Sequence, residues 1–191
     1  MDTGLTMIDH EDKFIFIHIG KTGGSSIEKA LNPDVTLDGS ARTAHTGNTD
    51  FLEKHWNAQK YQREYKDFFE SYFKFSFVRN PWDREVSRWK WFSLARGDNH
   101  SFSKHVTSHI SNCQSDWLCT GDHYLTDFIG RFETLQEDFD VICDKMGRPR
   151  QKLPHINKTK RKHYTEYYDD ETRQIVAEKY AKDIEYFNYK F

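Results

Sequence analysis

The stretch "FIFIHIGKTGGSS", Phe14 to Ser26, decides how the rest of the chain is read, because an apolar run gives way there to a glycine-rich turn with one lysine and three hydroxyl side chains. Phe14, Ile15, Phe16, Ile17 and Ile19 are aromatic or β-branched and nearly continuous, the pattern of a strand buried on both faces of a parallel sheet. Gly20, Gly23 and Gly24 mark a tight turn. Ser25 or Ser26 is placed to cap a helix whose apolar positions Ile27, Ala30 and Leu31 share one face before Asn32-Pro33 stops it. Strand, turn and helix N-terminus together make an anion site: backbone N–H groups and the helix dipole point at one place, and Lys21 adds a full charge. The same residues also fit a plain strand-to-helix turn with an exposed lysine. Lys21-Thr22 precede Gly23-Gly24, the reverse of the order in the usual nucleotide-triphosphate loop, so a second site has to decide.

Composition narrows the classes. At 191 residues the chain is expected to be a single domain, 1–191, with residues 1–12 as a flexible N-terminal segment. Lys plus Arg number 28 against 30 Asp plus Glu, a net charge of −2, so the global positive field of a non-specific nucleic-acid binder is missing and any anion site must be built locally. Aromatic residues make up 16%, which argues for a packed chain over a disordered one. Cys113, Cys119 and Cys143 are an odd count whose spacing fits neither a zinc site nor a disulfide framework, as expected of ordinary thiols in a reducing compartment. No apolar run approaches the roughly 20 residues of a membrane span, and "MDTGLTMIDHEDK" lacks a basic-then-apolar leader, so a cytoplasmic protein without membrane insertion is expected.

Further along, 32–60 reads as irregular structure around a short strand near Val35 to Leu37, and aromatics from Tyr61 to Phe73 recur at helical spacing as a core face. "KFSFVRNPWDREVSRWKWF" repeats the opening logic: a strand over Lys74 to Arg79 ends at Asn80-Pro81, with Asn as N-cap and Pro at the first helical position. Residues 97–124 read as loop with one short helix. "DFIGRFE" is a third strand, followed by a helix with Thr134 and Glu137 as capping box, Phe139, Ile142, Cys143 and Met146 as buried stripe, and Gly147 as stop. A basic loop, "LPHINKTKRKHY", precedes a final helix with Val176, Tyr180, Ile184 and Phe187 inward. Strands and helices alternate, which predicts an α/β, three-layer P-loop-like fold with a short, mainly parallel central sheet flanked by helices.

The second anion site follows from Arg79 at a strand end and Ser87 on the helix after it, a guanidinium fork and a hydroxyl able to reach one phosphate. Two strand-turn-helix anion sites in one α/β chain suit a ligand with two separated charged groups. Here the sequence resembles the 3′-phosphoadenosine 5′-phosphosulfate (PAPS)-dependent sulfotransferases, specifically the family 2 group that includes carbohydrate sulfotransferases. "FIHIGKTGGSSIEKAL" is similar to that family's 5′-phosphosulfate loop, HIPKTAGTS, and "FVRNPWDREVSRW" to its 3′-phosphate motif, R-(D/N)-P-x-x-R-x-x-S. "DFIGRFETLQEDF" and the segment from "LPHINKTKRKHY" onward resemble the later family segments; 32–73 and 93–123 match weakly. Gly20 stands where the family commonly has proline, and Gly24 lies one place after its small residue; neither change removes a donor.

The resemblance implies roles. Lys21, with the N–H groups of Thr22, Gly23, Gly24, Ser25 and Ser26, would hold the 5′-phosphosulfate; Arg79 and Ser87 would hold the 3′-phosphate; Lys158, Lys160 and Arg161 would close over the cofactor. The product nucleotide would be adenosine 3′,5′-bisphosphate. In-line sulfuryl transfer develops charge on the bridging oxygen of the leaving nucleotide, which Lys21 is placed to neutralise, and no metal is called for. An acceptor hydroxyl needs a base. "ARTAHTGN" occupies the region of the family's loop histidine, which makes His45 the first candidate, with His55 the runner-up and His18, in the first strand, either a core residue or one that supports the site from behind. The implied acceptor is a sugar or another small molecule. Two other functions stay in view: a P-loop phosphotransferase using ATP and magnesium, and a non-catalytic nucleotide-binding module.

Overall fold

In the computed structural model, which describes residues 7–33, 55–97, 99–109, 112–156 and 161–191, β1 (Ile8–Asp9) and β2 (Phe14–Ile17) lead into α1 (Gly24–Leu31). The helices α2 (Ala58–Glu64) and α3 (Lys66–Phe69) precede β3 (Phe73–Val78), and α4 (Pro81–Arg96) and α5 (Phe102–Ser108) follow it. Then come α6 (Ser115–Leu118), the strands β4 (Cys119–Thr120), β5 (His123–Tyr124) and β6 (Phe128–Arg131), and α7 (Leu135–Met146). The last helices are α8 (Asp170–Lys179) and α9 (Ala181–Phe187). The chain divides into two compact units, Met1–Val78 with Asp116–Asn157, and Arg79–Ser115 with Lys158–Phe191.

The first unit holds a four-stranded sheet of order β1-β2-β3-β6. β2 runs parallel to β3, and β3 parallel to β6, while β1 pairs antiparallel with β2 at Ile8–Ile15 and Asp9–Phe14. All four residues of β2 are buried, as its unbroken apolar run requires of a strand covered on both faces. Phe14, Phe16, Phe75 and Phe77 point to one face, where Ile27, Ala30 and Leu31 of α1 and Phe139, Ile142 and Cys143 of α7 complete the core. Gly130 of β6 has no side chain because a Cβ there would lie 2.5 Å from the Phe77 ring. The expected α/β architecture, a short and mainly parallel sheet flanked by helices, is therefore what the chain adopts.

Local readings changed where tertiary contacts overrode periodicity. The predicted helix over Tyr61 to Phe73 breaks at Tyr65 (φ −124°, ψ 39°), and Phe73 begins β3. Its aromatics form a ladder of rings, Tyr61, Tyr65, Phe68 and Tyr72, in which only Tyr61 is fully buried. Neither Ser25 nor Ser26 caps α1: the N-cap is Gly23, left-handed at φ 89°, with no side-chain cap. Thr134 likewise caps nothing; its hydroxyl donates to Asp138 Oδ2 (2.8 Å), which also accepts from the Arg131 N–H (2.6 Å). The region 97–124 holds two short helices, α5 and α6, and the β4–β5 hairpin, where loop with a single short helix was expected. The strand expected near Val35 lies outside the described residues.

The second unit is helical and unusually polar inside. Asn80 caps α4 as predicted, its Oδ1 accepting from the N–H groups of Trp82 (3.0 Å) and Asp83 (3.4 Å), with Pro81 at the first helical position. The predicted final helix breaks at Tyr180 (φ −114°, ψ 25°) into α8 and α9, and Ile184 is only half-buried while the next-door Asp183 is fully buried. Asp183 earns that place by accepting from the N–H groups of Gln114 (2.7 Å) and Ser115 (2.8 Å). Glu85 of α4 is also buried, accepting from the Tyr180 hydroxyl (2.6 Å) and lying 3.2 Å from His105 Nε2 of α5. Burial pushes the Glu85 carboxyl up, but the His105 hydrogen bond, the Arg88 charge, the Tyr180 hydroxyl and Arg84 outweigh it and hold the group at about 2. Cys113, Cys119 and Cys143 are not joined in disulfides.

Candidate functional site

Two residues of the loop after β2 adopt the left-handed backbone, Lys21 at φ 72° and Gly23 at φ 89°. For glycine this is free, whereas for lysine it costs about 1 kcal/mol or more, so the surroundings must hold it. Thr22, between them, is fully buried and its hydroxyl donates to the Ile19 carbonyl (2.8 Å), closing the turn. Left-handed residues alternating in a turn line up successive N–H groups on one anion. The amide of Ser26 is committed to the first turn of α1, donating to the Gly23 carbonyl (3.0 Å), and its hydroxyl accepts from the Ile156 N–H (3.4 Å). The half-buried Lys21 and Ser25 sit at the mouth of this turn, and Gly24 opens the helix.

Behind the turn stands a polar pair that periodicity could not reveal. His18 and Glu28 are both buried, and His18 Nδ1 lies 2.5 Å from Glu28 Oε1. The His18 ring stacks on Phe16 (5.5 Å, 11°), and a Cβ on Gly24 would fall 2.1 Å from His18 Nε2. His55 Nδ1 donates to the His18 carbonyl (3.0 Å), the two rings being 4.7 Å apart. A carbonyl only accepts, so this bond fixes the neutral His55 tautomer with its lone pair on Nε2. His45 lies outside the described residues.

In the second unit, Arg79 is buried and donates from Nε (2.9 Å) and Nη2 (2.7 Å) to Asp83 Oδ2, one turn into α4. Arg161 Nη2 donates to the other oxygen, Asp83 Oδ1. The backbone of Arg79 is clamped too: its N–H donates to Gln114 Oε1 (2.9 Å) and its carbonyl accepts from Gln114 Nε2 (2.8 Å). The Arg79 and Arg161 guanidinium groups thus meet on the Asp83 carboxylate. Ser87, half-buried, follows Asp83 by four residues and so shares its face of α4. The sequence reading singles out Arg79, Ser87 and Arg161 but not Asp83, which joins the two arginines. Lys158 and Lys160 lie outside the described residues.

Arg84, also part of the second motif, is fully inside, and burial pushes its guanidinium below the ordinary value, with Arg88 acting in the same direction. Trp91, Phe92 and Trp117 are half-buried, and Tyr124 is exposed. Among the described residues there is no group of three or more His, Cys, Asp or Glu side chains able to hold a metal, and no helix long and apolar enough to cross a membrane.

The sulfotransferase family description matches residues 5–190, nearly the whole chain. An uncharacterized protein of Archaeoglobus fulgidus is 30% identical over 105 residues, an alignment that covers 48% of this chain and 82% of that protein. No solved structure matches.

Proposed function

The chain belongs to the sulfotransferase family, and from that premise we propose that it moves the sulfuryl group of PAPS to the hydroxyl of a sugar or other small acceptor. The observation that carries the reading is the loop at Lys21: a left-handed lysine and a left-handed glycine lead directly into a helix N-terminus, the local backbone that offers N–H groups to an anion. The residues present fit the donor nucleotide. Lys21 with the N–H groups of Thr22 to Ser25 would take the 5′-phosphosulfate, and the Arg79 and Arg161 guanidinium groups with the Ser87 hydroxyl would take the 3′-phosphate. When bound, PAPS supplies the activated sulfuryl group and a nucleotide leaving group.

Lys21 then works by electrostatics, its ammonium stabilising negative charge as it grows on the departing phosphate oxygen; losing such a donor costs on the order of 100 to 1,000-fold in turnover. The proton of the acceptor hydroxyl goes to a histidine. His45 is the candidate drawn from the loop motif. His55 is the second, favoured by the bond from its Nδ1 to the His18 carbonyl, which puts the basic lone pair on Nε2. Parallel His45→Ala and His55→Ala variants that still bind the product nucleotide distinguish them, the base being the one whose loss lowers turnover by about 100-fold or more.

The first test is thermal unfolding with adenosine 3′,5′-bisphosphate, set against ATP plus magnesium. At about 100 times its dissociation constant a ligand adds roughly 2.7 kcal/mol, which in a chain of this size raises the midpoint by roughly 5 to 11 °C. The bisphosphate is expected to give that shift and Lys21→Ala to reduce it. A shift with ATP and magnesium alone would replace this reading with phosphotransfer. A shift with the bisphosphate but no sulfated product across an acceptor screen would leave a nucleotide-binding module.

A further inference from the structure

A buried carboxylate one turn inside the helix that faces an anion is an unexpected neighbour, since it opposes the helix dipole's attraction for negative charge. Glu28 is 3% exposed, and no step of the proposed chemistry uses it. Its partner His18, 4% exposed, leaves β2 just before the loop begins. His18 is held at three points: Phe16 stacks on its ring, Glu28 Oε1 lies 2.5 Å from Nδ1, and His55 Nδ1 donates to its backbone carbonyl at 3.0 Å. Its remaining edge rests on Gly24, where a Cβ would come within 2.1 Å of Nε2 and 2.2 Å of Cδ2. The ring therefore sets how far the first residue of α1 stands from the end of β2, and Glu28, anchored further along the same helix, sets the orientation of the ring.

We propose that His18 and Glu28 are positioning residues that hold the backbone N–H groups at the start of α1 in register for the 5′-phosphosulfate, without touching it. The left-handed Lys21 makes such a device necessary, because a strained turn relaxes unless both of its ends are fixed. The strand end and the helix are the two ends, and the pair joins them directly. The inference rests on the assignment of the loop to the 5′ group.

The test dissects nucleotide binding by calorimetry. Adenosine 3′,5′-bisphosphate and adenosine 3′-monophosphate are titrated into the wild type, Glu28→Gln, Glu28→Met and the apolar double variant His18→Leu/Glu28→Met. Glu28→Gln keeps the side-chain length and a polar group facing Nδ1 and is expected to bind both nucleotides within about threefold of wild type. Glu28→Met is expected to weaken the bisphosphate by about 10 to 100-fold and the 3′-monophosphate by less than threefold, removing the increment due to the 5′-phosphate alone. Replacing both members of a buried polar pair by apolar side chains of similar volume is often neutral for stability, so the double variant remains measurable if Glu28→Met fails to fold. It is expected to unfold near the wild-type midpoint and still lack the 5′ increment. A double variant that keeps the full 5′ increment reduces the pair to core packing and overturns the inference. So does equal weakening of both nucleotides. Wild-type protein that binds the monophosphate as well as the bisphosphate instead overturns the assignment of the loop itself, and the inference with it.

Discussion

Lys21 combines two properties that a sequence displays very unequally. Its charge beside glycines is plain in "GKTGG", and so is the pairing of that charge with a helix start. Its left-handed backbone, φ 72°, is not, because lysine in that conformation has no sequence signature and is tolerated only where neighbours over-determine it. The same holds for His18 and Glu28. Ten positions apart, they read as a strand residue and a helix residue, and only the return of α1 along the sheet brings Nδ1 within 2.5 Å of Oε1. Strain and charge at Lys21 can be separated. Lys21→Ala removes the amine and keeps the strained φ, whereas Lys21→Gly removes both. Glycine is expected to unfold about 1 kcal/mol later than alanine in denaturant titrations, although both lose turnover by on the order of 100 to 1,000-fold. Glycine and alanine variants of equal stability would show that the turn carries no strain.

Elements announced by capping chemistry proved the most legible. Asn80-Pro81 fixed the start of α4 because the cap is a local hydrogen bond, Oδ1 to the N–H groups of Trp82 and Asp83, that needs no distant partner. Where the ends depended on distant partners, periodicity alone ran past them. The aromatic repeat after Tyr61 continued through Tyr65, yet Phe73 had to enter the sheet opposite Phe14. The repeat after Asp170 continued through Tyr180, yet the hydroxyl of Tyr180 is drawn to Glu85. The hairpin of β4 and β5 rests on two residue pairs only and carries no alternation long enough to notice. The Asn80 amide adds a second tie, Nδ2 donating to the Lys190 carbonyl (2.8 Å). Asn80→Ala is expected to cost about 1 to 2 kcal/mol in equilibrium unfolding, and Asn80→Asp, which keeps the cap, less than half of that. Equal losses would place the stabilisation in the amide donor and not in the cap.

Across the whole molecule, the two units bury different kinds of surface. The sheet unit has a core of phenylalanines and aliphatics with the buried His18 and Glu28 at its edge, whereas the helical unit encloses Arg79, Arg84, Glu85, His105, Gln114 and Asp183, among which the Glu85 carboxyl is held low. Apolar burial is insensitive to acid; a buried carboxylate held ionised by its partners is not. Glu85 sits at about 2 in the folded protein against an ordinary 4.5, so the folded state binds its proton less readily than the unfolded chain does. The stabilisation from this group is complete above about pH 4.5 and is lost as the pH falls through about 2. The difference corresponds to roughly 3 kcal/mol at most. Acid should therefore loosen the helical unit first. Hydrogen exchange between pH 5 and pH 2.5 is expected to show amides of α4, α5 and α8 losing protection while those of β2, β3 and α7 keep theirs. Glu85→Gln, whose side chain cannot titrate, is less stable at neutral pH, and its stability should fall less steeply than that of the wild type over the same range. Parallel acid curves for the two proteins would assign the acid sensitivity to other carboxylates, and uniform loss of protection would mean that the polar interior gives the helical unit no acid sensitivity of its own.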